Sequence, residues 1–182
     1  MPNEFCQYLE PNYCERWATI KLLFSGMATI ANHYGYVHTD GHPCQGATVW
    51  FPPGTYPLTH WQMLRAGLVK CPFVMGLSAM NRLLKLAHFT ETVHAHLMQG
   101  QPYWYLLFAG VAPERQGQGI GTELVTKMHD FLDAMQQTAL LEANNEQLVS
   151  YWERFGYTVQ LKADVPVGGV TYWFMVRQPN AG

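Results

Sequence analysis

Cysteine and charge are both scarce in this chain. Its four cysteines are widely and irregularly spaced among 182 residues and form no C-x-x-C pair, which excludes the common zinc signatures and favours reduced, structural thiols. Only 13% of the residues are charged, the formal net charge is -2, and the lysines and arginines form no block. Nucleic acids and anionic membrane surfaces select for clustered cations, so we expect neither as a partner. A small-molecule partner is expected instead.

Long apolar runs and a leading secretory signal are also lacking. The most apolar stretch, residues 20–31, is interrupted by Lys21, Ser25 and Gly26 and is too short to span a bilayer. The first residues show neither the basic segment nor the apolar run of a signal peptide. These observations favour a cytoplasmic protein.

Apolar and aromatic side chains, by contrast, are abundant. The chain is 48% hydrophobic and 14% aromatic, which is ample for a packed core. Its length suits one compact domain better than two, so we expect a single domain over residues 1–182.

The order of the predicted elements is that of a mixed α/β protein. Residues 13–33 have the apolar spacing of a helix, and short strands at 35–39 and 47–51 form a hairpin. A helical insert follows over about residues 53–102, with helices near 75–85 and 90–98. The remaining predictions are a buried strand at 103–111, a helix at 120–135, a strand at 138–142, a helix at 145–155 and strands at 157–161 and 170–177.

One glycine-rich segment has a chemical signature. The residues Gln116-Gly117-Gln118-Gly119-Ile120-Gly121-Thr122 connect the predicted strand at 103–111 to the helix at 120–135. A helix start has unpaired N–H groups and partial positive charge, and glycines permit close approach, so this segment can bind a phosphate. It lacks the Gly-Lys-Ser/Thr ending of a Walker A loop and the last glycine of a dinucleotide fingerprint. A glycine-rich turn without a ligand is the alternative.

Two motifs resemble one known family. The pattern Val111-x-Pro113-x-x-Gln116-x-x-Gly119-x-Gly121 resembles the acetyl-CoA signature of the GNAT acetyltransferases, and the segment from Asn145 to Phe155-Gly156-Tyr157 resembles their following helix. The resemblance implies an α/β fold of the α+β type, with a mixed sheet: the GNAT-like acyl-CoA N-acyltransferase fold. Its cofactor-binding core would span about residues 103–161, and the helical insert would lie between the third and fourth strands. The family's first strand is expected within residues 1–11.

The resemblance also implies an activity. It implies an N-acetyltransferase that moves an acetyl group from acetyl-CoA to a primary amine of a small molecule or peptide, by direct attack in a ternary complex. It requires no metal and is compatible with a homodimer. The alternatives are a non-catalytic acyl-CoA-binding module and a dinucleotide-binding regulator. The implied cofactor-binding residues are Ala109, Gly110 and Val111 for the pantetheine arm, Gln116, Gly117, Gln118, Gly119, Ile120, Gly121 and Thr122 for the pyrophosphate, and Asn145 and Trp152 on the last helix.

The general acid departs from the family pattern. The position usually held by tyrosine is Trp152 here, and an indole cannot protonate a departing thiolate. The neighbouring Tyr151 is therefore the catalytic candidate. Protonation by water and a purely structural Tyr151 both stay open.

The general base is also open. His94 and His96 are two residues apart, so on one helix they face different directions and cannot chelate one ion. A single histidine from the group His88, His94 and His96 is one candidate base, because its ordinary pKa suits proton transfer. Glu142 and Glu91 are the others.

The helical insert is expected to form a wall over the acceptor site. Aromatic residues flank it, and Tyr56 and Trp61 stand at its start. Packing of the insert against the sheet is the alternative.

Overall fold

The protein is built around a six-stranded sheet. The computed structural model describes residues 13–166 and 169–180. No helix in that part of the chain combines the length and apolarity needed to cross a membrane. In chain order the elements are α1 (Tyr13–Tyr34), β1 (Tyr36–Thr39), β2 (Gly46–Phe51), α2 (His60–Arg65), α3 (Cys71–Met98), β3 (Tyr103–Val111), α4 (Ile120–Ala134), β4 (Thr138–Ala143), α5 (Glu146–Glu153), β5 (Thr158–Asp164) and β6 (Thr171–Arg177).

The sheet is mixed, as predicted. Its strand order is β1-β2-β3-β4-β6-β5, with β3 and β4 parallel and the other neighbours antiparallel. The predicted helical insert is confirmed and lies between β2 and β3. These are the third and fourth strands when counted from the strand expected in residues 1–11, a segment that lies outside the described residues.

Helices cover both faces of the sheet because side chains alternate along each strand. Tyr105, Leu140 and Phe174 pack in one core with residues of α1 and α3. Trp104, one residue before Tyr105, and Leu141, one residue after Leu140, pack in a second core with residues of α4 and α5. The cofactor signature therefore belongs to the α4 layer, and the helical insert belongs to the opposite layer.

The insert differs from its prediction in one respect. Separate helices at 75–85 and 90–98 were expected, but α3 runs from Cys71 to Met98. Thr90, which would begin the second helix, is instead buried inside α3. The backbone is non-helical only at Gly76, where φ is 74° and ψ is 166°, a conformation that favours glycine over residues with a side chain.

Thr59 caps α2 through a reciprocal pair of hydrogen bonds with Gln62.

Arg177 joins the end of β6 to the α4 layer. Its guanidinium donates to both carboxylate oxygens of Asp133, at 2.7 and 2.6 Å, and to the carbonyl of Phe155 at 3.1 Å. Nearby, the buried ring of His129 lies 3.2 Å from the hydroxyl of Tyr157. Burial, and then the charge of Arg177, lowers the pKa of His129 from 6.5 to about 4. The folded protein therefore keeps this imidazole neutral.

The neutral His129 predicts a loss of stability in mild acid. Between pH 6.5 and 4 the unfolded chain binds a proton that the folded chain does not, so stability falls as the pH falls through this window, by up to about 3 kcal/mol. Thermal unfolding of the wild type between pH 7.5 and 4.5 should show this fall, and His129→Gln should show a smaller one. The exposed His96 supplies the control, His96→Gln, which should follow the wild type. Equal acid sensitivity in His129→Gln would contradict the prediction.

Candidate active site

β3 and β4 pair over only three residues each. Residues 103–105 of β3 lie opposite residues 138–140 of β4, and the ladder stops there. β3 continues to Val111 along β2, while β4 continues to Ala143 along β6, so the two strands diverge. The diverging edge of β3 includes Ala109 and Gly110, which are exposed. A strand edge of this kind offers backbone donors and acceptors to an extended ligand.

The loop between β3 and α4 is exposed and open beside its glycines. Gly117 and Gly119 have φ values of 75° and 85°, in the left-handed region that favours glycine. A Cβ atom added at either position would meet nothing within 4 Å. Gly119 is also the N-cap of α4 and provides no side chain to the N–H groups at the helix start. These groups are therefore available to an anion.

Two glutamines brace this loop from within. The Gln116 side chain donates to the carbonyl of Val111 at 3.1 Å. The Gln118 side chain donates to the carbonyl of Glu114 at 3.4 Å. Both contacts tie the loop to the chain just before it, which leaves the glycine backbone itself uncovered.

Tyr151 places its hydroxyl at the start of α4. The oxygen lies 3.3 Å from the position that a Cβ atom on Gly121 would occupy, and the hydroxyl is hydrogen-bonded to Thr122. Burial raises the pKa of Tyr151, although Thr122 and the nearby Arg154 oppose the rise. The phenol is therefore protonated at neutral pH and has a proton to give.

Trp152 and Asn145 occupy different surroundings. Trp152 is only 6% exposed and packs against Phe155 and Tyr157 in the core beneath α5. Asn145 is exposed and caps α5, because its side chain accepts from the N–H of Leu148 at 2.8 Å. Contact of either residue with a cofactor stays a prediction. Of the adjacent pair on α5, Tyr151 is the residue that reaches the loop.

On the opposite face of the sheet, Glu142 anchors a hydrogen-bond network. Its Oε1 lies 2.5 Å from Nε2 of His94, and its Oε2 accepts from the Tyr105 hydroxyl at 2.9 Å. The Tyr103 hydroxyl lies 3.0 Å from Nδ1 of His94. An ionised carboxylate only accepts, so Nε2 carries the ring hydrogen and Nδ1 accepts from Tyr103. Tyr103 thus donates to His94, and His94 donates to Glu142.

The position of Glu142 connects this network to the gap between the strands. Glu142 lies two residues beyond Leu140, the last residue of β4 that pairs with β3. The network therefore lies where the strands begin to diverge. The glycine loop follows Val111 at the other end of β3, so the unpaired part of β3 lies between the network and the loop.

The other candidate bases are placed differently. His88 and His96 are exposed, whereas His94 is only 2% exposed. The three histidines therefore do not meet. Among the residues that the structure describes, no three metal-ligating side chains converge.

A cavity of about 410 Å³ lies beside the network. It is formed by the chain after β2, the second half of α3 and the start of β3, and its lining includes Tyr56, Glu91, His94 and Tyr103. The insert thus packs against the sheet and also supplies a cavity wall. Trp61 is not among the residues that line this cavity, and its side chain is 62% exposed on α2, so its contact with an acceptor stays a prediction.

The sequence interpretation missed the hydroxyls of Tyr103 and Tyr105. The sequence marks both only as aromatic residues that flank the insert, although their spacing in a strand places them on one face. Their common partner, Glu142, is 37 residues from Tyr105 and 48 from His94 in sequence. Only the register of β3 with β4 reveals these contacts.

Comparison with known proteins supports the resemblance. Residues 73–157 match the model of the Acetyltransferase (GNAT) family, a segment that includes the glycine loop, His94 and Glu142. The fold is similar to that of a Corynebacterium glutamicum protein described as histone acetyltransferase HPA2 and related acetyltransferase, with 16% identity and a TM-score of 0.66 over 100% of this chain and 85% of that one.

A second similar structure is Naa20 from Chaetomium thermophilum in complex with a bisubstrate analogue. It has 13% identity and a TM-score of 0.50, over 84% of this chain and 70% of that one. At such identities the two structures establish the fold alone. The fold is that of the GNAT N-acetyltransferases, and the match to the GNAT family model covers residues 73–157 of the chain.

Proposed function

We propose that this protein transfers the acetyl group of acetyl-CoA to a primary amine of a small molecule or peptide, with both substrates bound together. The divergence of β3 and β4 between the glycine loop and Glu142 supports this best. One cleft then presents an anion site at its outer end and proton-accepting groups at its inner end. Holding two reactants in such a cleft is itself a large part of catalysis.

The residues of the outer end fit a CoA thioester. Bound acetyl-CoA would supply the acetyl thioester that the amine attacks. The exposed backbone of Ala109, Gly110 and Val111 would pair with the pantetheine amides, and the N–H groups from Gly117 to Thr122 would bind the pyrophosphate. The open space beside Gly117 and Gly119 supports this placement.

Tyr103, His94 and Glu142 would accept the proton of the amine. An aliphatic amine has a pKa near 10 and must lose a proton before it attacks. Tyr103 lines the cavity and donates to His94, so its oxygen can take a proton from the amine while its own proton moves to Nδ1. Glu142 would then stabilise the imidazolium, as the carboxylate of a serine-protease triad does.

Tyr151 would protonate the departing thiolate. Its hydroxyl lies beside Gly121 and Thr122 rather than in the core, and burial raises its pKa, so it has a proton to give. Because these residues are proposed to hold the pyrophosphate, the hydroxyl would have to turn from Gly121 toward the sulfur end of the pantetheine arm for this step. The burial of Trp152 leaves the phenol of Tyr151 as the acidic group of this pair beside the loop, which supports an active enzyme over a non-catalytic module.

The proposal is tested by release of free CoA thiol from acetyl-CoA across a panel of primary amines. Amine-dependent release with formation of the N-acetyl product would support it. Tight CoA binding without release would favour the non-catalytic acyl-CoA-binding module instead.

The glycine loop predicts a matched pair of variants. Gly119 and Gly67 share a left-handed backbone, with φ of 85° and 73°, and open space for a Cβ. Gly119→Ala and Gly67→Ala should therefore each lose about 1 kcal/mol of stability. Only Gly119→Ala should weaken CoA binding, by about tenfold or more in isothermal titration calorimetry. Equal CoA affinity in the two folded variants would contradict the anion site.

Glu142→Gln should lower kcat by about 100-fold or more while the Kd for acetyl-CoA stays unchanged. The amide can keep hydrogen bonds to His94 and Tyr105, but it carries no negative charge to stabilise the imidazolium. The loss should be accompanied by a changed pH profile of kcat. Glu153→Gln, at an exposed position on α5, should behave as the wild type. A wild-type kcat and pH profile in Glu142→Gln would rule out the proposed route.

Tyr151→Phe should reduce kcat about tenfold to 100-fold with little change in thermal stability. The loss should be greatest for amines whose acetylation is limited by thiolate departure. Tyr36→Phe, which removes a hydroxyl from a half-exposed ring on β1, is the control. If both variants keep full turnover, water rather than Tyr151 supplies the proton.

A further inference from the structure

The cavity beside Tyr103 is unevenly charged. Its lining contains the carboxylate of Glu91, and neither lysine nor arginine is among the lining residues that the structure describes. Glu142 lies just behind His94. Burial, then the charges of Glu142 and Glu91, raises the pKa of Tyr103 to about 12. The interior of this cavity therefore favours cations and disfavours anions.

The rest of the wall is mainly apolar. Tyr56 and Tyr103 present aromatic rings, Met98 presents a thioether, and Pro53, Pro57 and Pro102 close the sides. Aromatic rings and a thioether suit the carbon skeleton of a ligand and also attract a cation over a ring face. The volume of about 410 Å³ is that of a small-molecule pocket.

The cavity is also next to the proposed base. His94 and Tyr103 line the cavity, and both belong to the hydrogen-bond network of Glu142. An amine bound here would reach the Tyr103 hydroxyl without crossing the sheet. The cofactor loop lies at the other end of the cleft, so the two ligands would not compete for space.

On the basis of the function proposed above, we infer that this cavity binds the acceptor, and that the acceptor is a small amine with an apolar or aromatic body and no carboxylate or phosphate. Glu91 is then the residue that selects for charge. It attracts the ammonium form of the amine and repels an anionic substituent. A carboxylate buried here would have no cation to pair with, which is a strong penalty against amino acids and acidic peptides.

The inference is tested with ligand pairs that differ by one carboxylate. Tyramine is compared with tyrosine, and cadaverine with lysine, by the rate of thiol release and by calorimetric binding in the presence of CoA. The wild type should prefer the decarboxylated member of each pair by about tenfold or more in kcat/KM, and in Kd. Glu91→Gln should weaken amine binding and narrow that preference, while its Kd for CoA stays unchanged. Glu153→Gln is the matched control and should keep the wild-type preference.

The outcomes separate this inference from the proposed function. Acetylation with equal or better use of tyrosine and lysine would overturn the acceptor class and leave the acetyl transfer intact. Preferential, Glu91-dependent binding of tyramine without acetylation would support the cavity and overturn the transfer. An unchanged preference in folded Glu91→Gln would remove the role of Glu91.

Discussion

β3 pairs with β2 from Tyr105 to Val111, but with β4 over only three residues. β4 is in turn held by β6 over five residues. The sheet is thus two antiparallel halves joined by one short parallel contact, and neither half can close the gap without giving up its own register. The cleft between the strands is therefore a property of the sheet rather than of a loop that could collapse.

Glu142 at this joint, with its side chain only 10% exposed, constrains the helical insert. A buried carboxylate is tolerated only when its oxygens are paired, and His94 from α3 and Tyr105 from β3 provide those partners. The end of α3 must therefore lie against the joint for the carboxylate to be stable. The same contacts fix the direction of the hydrogen bond from Tyr103, so the stability of the core and the chemistry of the site depend on the same atoms.

Elements with strong local signals were predictable from the sequence. β3 spans the predicted residues 103–111, because its aromatic, aliphatic and β-branched side chains form an almost uninterrupted run. α4 begins at Ile120, as predicted, because its apolar side chains recur with the helical period. The glycine loop was predictable because its chemistry resides in consecutive residues.

The contacts between distant residues were not predictable in the same way. Glu142, His94 and Tyr105 were each visible, but no periodicity shows which strands are neighbours or where their pairing stops. The break at Gly76 and the burial of Trp152 depend similarly on packing. A helical period gives the angle between Tyr151 and Trp152 and leaves open which of them faces the core.

The two helical layers approach the cleft from opposite faces of the sheet, and they share few side chains. The α4 layer carries the glycine loop, whereas α3 and the chain after β2 carry the cavity wall. Mutations in these two regions can accumulate almost independently, because distant sites with no common partner have additive effects. Under the proposed function, descendants of such a chain could exchange one acceptor for another by altering a few cavity positions such as Tyr56, Glu91 and Met98, while the donor half of the reaction is inherited unaltered.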